Sequence, residues 1–283
     1  MMILFYSLAI ILLILFPSDT ARTAYHALQL WGESIVPVLF PYMVFSRLLC
    51  SKLNNLRLPA FPVVAILGLL GGSPSGAASV SANADKLPPR KTLILCTLTG
   101  TVSPMFILGT LQPWVQHPLL CRRLLWCHWL SALLSSWLIF LFSKGNLPSI
   151  VKTSDKNAVP FDPIMQSVDA VLQVGGCVIL YSVLAGMLGR ILHSFSFLPS
   201  LFHAILEISG GIHAICQSNI AISTKSILLS AVLGFNGFSI LSQNHAILRP
   251  IGISMRLLIL FALLRAFLSA SLMLMMNLLL PII

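Results

Sequence analysis

Long apolar segments alternate with short polar stretches along the 283 residues of the chain. The apolar segments occupy residues 4–17, 30–49, 60–82, 92–114, 124–142, 167–190, 196–216, 226–247 and 256–280. A helix needs about 20 apolar residues to cross the hydrocarbon core of a membrane, and most of these segments reach that length. The pattern therefore predicts an all-α polytopic membrane protein.

Two of the segments contain residues that interrupt helices. Segment 60–82 runs through the sequence GGSPSGAA at residues 71–78, and segment 196–216 contains Ser209, Gly210 and Gly211. Glycine and proline weaken or end helices, and irregular backbone at membrane depth persists only where protein or a water-filled cavity covers it. We expect both segments to form re-entrant hairpins; nine ordinary spans are the alternative.

The first apolar segment is shorter than the others. It has no basic stretch before it and no clear cleavage site of small residues after it, both of which a secretory signal peptide would have. Residues 1–27 are therefore predicted to form an N-terminal transmembrane span and a loop. A cleaved signal is the alternative.

The remaining chain divides into two similar halves, residues 28–143 and 166–283, joined by a polar linker at 144–165. Corresponding features occur in the same order, and their offset drifts only from 139 to 133 residues. The pairs are Tyr42 with Tyr181, Ser75-Gly76-Ala77 with Ser209-Gly210-Gly211, and Ser103-Pro104 with Asn236-Gly237. We interpret the halves as repeats, each with one hairpin followed by one broken helix.

Charge placement predicts that these repeats are inverted. Arg47 and Lys52 precede segment 60–82, and Arg90 and Lys91 follow it. Because basic residues favour the cytoplasmic side, both ends of that segment are expected there. Tracing the chain onward gives seven full spans and two hairpins that enter from opposite sides.

Composition supports a membrane location and argues against a nucleic-acid partner. Only 8% of residues are Asp, Glu, Lys or Arg, against roughly 25% in soluble domains. The net charge is +10, but the basic residues lie in short stretches between apolar segments, where they act as topology signals. We expect the lipid bilayer as partner and no nucleic acid. A homo-oligomer is compatible with this pattern.

Polar groups at the two hairpin tips are the first candidates for a binding site. Inverted repeats with broken, glycine-rich segments in matching positions are typical of secondary transporters, because the tips expose backbone N–H and C=O groups. Close helix packing by small residues is the alternative explanation. The candidate binding residues at the tips are Ser73, Ser75, Gly76, Ser209 and Gly210.

Further candidates come from the broken helices and from a buried acid. Ser103 and Asn236 mark the two breaks, and Gln243 lies one or two turns after the second. Glu207 is an acid within the apolar sequence AILEIS, and acids within membrane segments are costly and usually functional. Glu207 is predicted to bind a substrate hydroxyl or amine, or a coupling proton or Na⁺; capping a hairpin helix is the alternative.

The sequence lacks the common signatures of enzymes. It contains no Walker loop, Rossmann fingerprint or HExxH motif, so no catalytic residue, metal site or organic cofactor is expected. Cys121, Cys127 and His128 lie near one another, but zinc ligands are normally closer and paired.

Four motifs occur in order along the chain: GGSPSGA at residues 71–77, SPMFILGT at 103–110, LEISGG at 206–211 and GFNGFS at 234–239. Together they resemble the YlbJ-type sporulation integral membrane proteins of the nucleoside-recognition (Gate) group, a group related to concentrative nucleoside transporters. The resemblance implies a bacterial inner-membrane location, a role in spore formation and nucleoside-like substrates.

The combined prediction is a sporulation-associated membrane protein that moves a small polar solute by alternating access. A non-transporting scaffold for spore cortex assembly is the alternative, and a channel is a third. A transporter predicts a solvated cavity bounded by both hairpin tips, Glu207 and Gln243, whereas a scaffold predicts tips that are packed shut.

Overall fold

The computed structural model describes residues 2–54, 58–143, 162–191 and 198–280, and every regular element in these ranges is a helix. This confirms the predicted all-α class for the described residues. Most of the predicted linker, residues 144–161, lies outside the described ranges.

In the first half, proline stands at the start of several helices, where its missing N–H costs no hydrogen bond. The elements are α1 (Met2–Leu15), α2 (Pro17–Leu30), α3 (Val36–Asn54), α4 (Ala60–Gly71), α5 (Ser75–Ala82), α6 (Pro89–Thr99), α7 (Gln112–Val115) and α8 (Pro118–Phe142), with π-helical turns at Trp31–Ile35 and Phe106–Leu111 and a 3-10 turn at Ala84–Lys86.

The second half repeats the alternation of long and short helices. Its elements are α9 (Pro163–Ile191), α10 (Leu198–Leu206), α11 (Ile208–Gln217), α12 (Ile222–Phe235), α13 (Gly237–Leu248) and α14 (Met255–Leu279), with a 3-10 turn at Arg249–Ile251.

Five helical stretches among the described residues are long and apolar enough to cross a membrane: Pro17–Leu53, Pro118–Phe142, Pro163–Arg190, Ile222–Ile251 and Met255–Leu279. The short helices α4, α5, α10 and α11 have 12, 8, 9 and 10 residues. At 1.5 Å per residue each is too short to cross alone. Within each pair the two helices pack against each other, but their re-entrant placement stays a prediction, as does the inverted relation of the halves.

The N-terminal region is helical beyond the predicted first span, whose crossing of the membrane stays a prediction. The segment expected to form the first span, 4–17, gives the 14-residue helix α1, and the first helix long enough to cross is Pro17–Leu53. Residues 17–27, expected to form a loop, are helical. Pro17 at the first position and Asp19 in the first turn both favour a helix start there.

Two buried apolar clusters join the halves. In the first, α4 to α6 pack against α13 and α14, with Val80, Leu95 and Phe261 among the buried side chains. In the second, α10 to α12 pack against α8 and the turn at Phe106–Leu111. Each short helix pair therefore packs against elements of the other half, which brings the two broken segments together at the centre.

Candidate functional site

The tip of the first helix pair packs on the first helix break. Gly72, between α4 and α5, has φ +62°, and a Cβ there would collide with the main chain of Ser103. Ser73 donates its backbone N–H to the Thr101 carbonyl over 2.7 Å. Since α6 ends at Thr99 and the next helical turn begins at Phe106, the unwound residues satisfy part of their hydrogen bonding through this tip.

The second break lies beside the tip of the second helix pair. Asn236 ends α12 in the left-handed conformation, with φ 73°, a role that Asn fills more readily than most residues. At the next residue, Gly237, a Cβ would lie 3.2 Å from the Ile208 nitrogen. The Asn236 side-chain amide donates to the Gly100 carbonyl, so the two breaks contact each other directly.

Glu207 lies between α10 and α11 and has no solvent-exposed surface. Its two carboxyl oxygens accept backbone N–H groups, Oε1 from Ser209 over 3.0 Å and Oε2 from Gly210 over 2.6 Å. These bonds satisfy free N–H groups at the start of α11, as an N-cap does. Each carboxyl oxygen retains accepting capacity for a second partner, so capping and ligand binding are compatible.

A small cavity of about 40 Å³ lies beside Glu207 at the meeting point of both tips and both breaks. It is lined by Ile35, Leu39, Ser73, Val102, Ser103, Phe106, Val174, Val178, Glu207, Ile208, Ser209, Ser239, Ile240 and Gln243. Five predicted site residues are therefore brought together: Ser73, Ser103, Glu207, Ser209 and Gln243. Typical small-molecule pockets measure about 300–1,000 Å³, so a nucleoside-sized solute does not fit in this conformation.

Four predicted site residues do not line this cavity. Gly76 packs on α6, where a Cβ would lie 2.6 Å from the Thr99 carbonyl, so close helix packing explains it. Gly210 instead lines a larger neighbouring cavity. Asn236 is fully buried in its bond to the first break. The Ser75 hydroxyl is buried and has no hydrogen-bond partner among the described residues.

Two residues that were not predicted as site residues contact the tips and breaks around the cavity without lining it. Asn244, on α13, donates its amide to the Ser73 hydroxyl over 2.9 Å. Arg265, on α14, is 2% exposed and donates to the carbonyls of Thr97, over 2.9 Å, and Gly234. Both accepting carbonyls lie at helix C-termini, where a cation is favourable. The sequence signal for Arg265 was its charge within the last apolar segment. The carbonyls that it binds could not be predicted.

Several buried polar atoms around the breaks have no hydrogen-bond partner among the described residues. They include Thr101 Oγ1, Asn236 Oδ1, Ser239 Oγ and Asn244 Oδ1. Buried polar groups are normally paired, with protein or with ordered water. Of the residues that carry these four atoms, Ser239 lines the central cavity. No group of three or more His, Cys, Asp or Glu that could hold a metal ion occurs in the described part of the chain.

Two larger cavities flank the small one. A cavity of about 590 Å³ is lined by polar and titratable side chains that include His26, Glu33, His203 and His213, and one of about 300 Å³ is lined by Arg47, Gln166, Asp169 and Gln173.

Helix α9 establishes the order of the three cavities. Asp169 and Gln173 line the 300 Å³ cavity, Val174 and Val178 the central one, and Ser182 the 590 Å³ cavity. From Asp169 to Ser182 the helix rises about 20 Å. The continuous helix of α2 and α3 runs past the same cavities in the opposite order, from Glu33 through Leu39 to Arg47. The two polar cavities therefore lie at opposite ends of an apolar constriction.

These features define a class: a helical membrane protein in which two broken helices and two short helix pairs enclose a small buried cavity, lined mainly by apolar side chains with a few polar groups. The chain is similar to the sporulation integral membrane protein YlbJ of Bacillus subtilis (strain 168), with 23% identity over an alignment that covers 82% of this chain and 71% of the relative. No protein-family model and no solved structure matches the chain. The five apolar helices and the similarity to an integral membrane protein agree that the chain is a multi-pass membrane protein.

Proposed function

We propose that the protein moves a small, uncharged polar solute across the membrane by alternating access, with Glu207 at the binding site. The observation that carries the proposal is the order of the three cavities along α9. A polar cavity lies at each end, and the small central cavity lies between them. Each polar cavity would be the access route from one side, and the constriction would be the closed state between them.

The lining residues indicate the chemistry of the solute. Glu207 offers acceptor oxygens, and Ser73, Ser209 and Gln243 can donate or accept. None of the residues that line the cavity is Lys or Arg, so nothing there balances an anion. Solutes that carry hydroxyl and amide groups, such as nucleosides, could form hydrogen bonds with these lining residues. The resemblance to the Gate group stays a prediction, and it agrees with a nucleoside-like solute. A coupling proton or Na⁺ stays a prediction as well.

Inverted repeats and re-entrant hairpins belong to the same proposal. Glu33 and Asp169, which mark the polar starts of corresponding segments, line opposite cavities. Each short helix pair also packs its tip on the break that follows it, through Gly72 and Gly237. Both relationships support a two-fold inverted arrangement around the constriction.

The similarity to YlbJ supports a role in sporulation for this chain. Deleting its gene in its own host should lower the number of heat-resistant spores, and the wild-type gene should restore it. Unchanged spore counts in the deletion strain would contradict a role in sporulation without bearing on transport.

Transport is tested by solute uptake into proteoliposomes that contain the purified full-length protein. Radiolabelled uridine, adenosine and a panel of neutral sugars are suitable probes. Wild type should take up at least one solute faster than empty vesicles, and Glu207→Gln should lose most of that uptake. Asp85→Asn, which removes an exposed carboxylate in the 3-10 turn after α5, is the matched control. Uptake equal to that of empty vesicles across the panel would contradict the proposal.

A second candidate function is a non-transporting membrane scaffold. The small size of the central cavity favours it, because a scaffold is expected to keep its helix tips packed together with no space for a solute. The two functions differ in their dependence on Glu207. If the protein is a scaffold, Glu207→Gln should leave spore formation intact, because the Gln side chain still offers one oxygen to the N–H groups of α11. If it transports, the same variant should form as few spores as the deletion strain.

A further inference from the structure

Apart from the three cavities along α9, a concave surface lies on the outside of the molecule, between α8 and α14. It is an almost wholly apolar groove of about 350 Å³, which we call the α8–α14 groove. Its lining includes Trp126, Trp129, Leu130 and Leu133 from α8 and Met275 and Leu279 from α14. Most of these side chains are largely exposed: Trp126 is 61% and Leu279 71% exposed. In a membrane such a groove faces acyl chains.

A basic residue extends this groove at one end. Residues three, four and seven apart share a face of a helix, so Arg122 lies on the same stripe of α8 as Trp126, Trp129 and Leu133. Arg122 is exposed and has no acidic partner among the described residues. Its neighbour Arg123 is buried and donates to the Leu280 carbonyl over 2.7 Å, which holds the end of α14 against α8.

Aromatic side chains mark the groove one to two turns beyond Arg122. Trp126 and Trp129 pack edge to face, with ring centroids 6.0 Å apart. Tryptophan is concentrated at the level of the lipid headgroups, where its ring meets both apolar and polar surroundings. The order along α8 is thus a cation, then two indole rings, then aliphatic side chains, which matches the order of phosphate, glycerol ester and acyl chain in a phospholipid.

We propose that the α8–α14 groove binds an anionic phospholipid, with an acyl chain in the groove and the phosphate at Arg122. Charge complementarity selects this occupant, because an apolar groove alone would take any lipid, whereas an unpaired Arg on the same stripe favours a net negative headgroup. The groove shares no lining residue with the central cavity, so it does not depend on the transport proposal.

Binding is tested by native mass spectrometry of the full-length protein, delipidated in mild detergent and titrated with a phosphatidylglycerol or a phosphatidylcholine of the same acyl chains. Wild type should bind phosphatidylglycerol several-fold more tightly. Arg122→Gln should weaken phosphatidylglycerol binding about five-fold, the contribution expected of one basic residue near an anionic headgroup, and leave phosphatidylcholine binding unchanged. Arg256→Gln, at the exposed start of α14, is the control and should change neither.

A second pair of variants tests the groove itself. Leu133→Trp places a larger side chain in the groove and should weaken the binding of both lipids. Leu263→Trp, at an exposed position of α14 that does not line the groove, should not. Equal affinity of wild type for the two lipids would overturn the proposal. So would a wild-type dimer that Leu133→Trp dissociates, because the groove would then be a subunit interface.

Discussion

Asn244 donates its side-chain amide to the hydroxyl of Ser73 over 2.9 Å, across 171 residues of sequence. The bond joins α13 of the second half to the tip between α4 and α5 in the first. Ser73 also lines the central cavity. The bond therefore positions a cavity residue from a helix that does not belong to its own repeat.

Breaking this bond should lower stability modestly. Asn244→Leu keeps a similar volume but leaves the Ser73 hydroxyl without its donor, and should cost about 1 kcal/mol of unfolding free energy. Thermal unfolding of the purified protein measures the effect. In a double-mutant cycle with Ser73→Ala, the two losses should not add. Additive losses would mean that the two side chains do not interact in solution.

Removing the buried cation should cost more. Arg265 donates to carbonyls at the ends of both α6 and α12, and hydrogen bonds from charged donors contribute about 1.5–3 kcal/mol each. Arg265→Met should therefore destabilise the protein by about 2–4 kcal/mol, and Arg265→Lys should recover only part of this, because its ammonium lacks the forked geometry. Arg256→Met, at an exposed position on the same helix, serves for comparison. Equal unfolding temperatures for Arg265→Met and Arg256→Met would contradict the bridging role.

Substituting two glycines by alanine should distinguish a glycine required for close helix packing, Gly76, from one with open space around it, Gly32. A Cβ at Gly76 would lie 2.6 Å from the Thr99 carbonyl, whereas a Cβ at Gly32 would meet nothing within 4 Å. Gly76→Ala should lower the unfolding free energy by about 1–3 kcal/mol, the usual range for overpacking, while Gly32→Ala should be neutral or slightly stabilising. If Gly76→Ala is as stable as wild type but loses solute binding, Gly76 belongs to the binding site rather than to the packing of α5 on α6.

The constriction should control leakage. Leu39 lines the central cavity between the two polar ones, so Leu39→Ser should both widen and wet the apolar barrier. Proteoliposomes with this variant should release entrapped radiolabelled erythritol faster than those with wild type. Leu48→Ser, at an exposed position on the same helix, should release it at the wild-type rate. Identical erythritol release from wild type, Leu39→Ser and Leu48→Ser would show that the three cavities do not form one path.

The features of the structure that depend on short stretches of chain could be predicted from the sequence. Apolar length predicted membrane helices, and helix-breaking residues correctly marked the interruptions at Gly72, after α4, and at Asn236, after α12, because a left-handed φ acts within one turn. In the second short pair the break lies at Glu207, and the residues predicted to form it, Ser209 to Gly211, are part of helix α11. Glu207 was found by the same reasoning, since an acid in an apolar stretch must be paired or used. The N-terminal residues show the limit of apolar patterning: 17–27 are polar in part and nevertheless helical, because the helix-start residues Pro17 and Asp19 outweigh hydropathy there.

Only the tertiary structure decided which of these interrupted elements meet. Asn236 with Gly100, Asn244 with Ser73 and Arg265 with Thr97 are each separated by more than a hundred residues, and no local preference favours one such pair over another. The packing of each short helix pair against the opposite half brings them together. That packing separates Ser73, Ser103, Glu207, Ser209 and Gln243, which line the cavity, from Gly76 and Asn236, which contact the end of α6 instead. The sequence alone indicated polar candidates, five of which line the central cavity, and the burial of apolar faces determined which of them point into it.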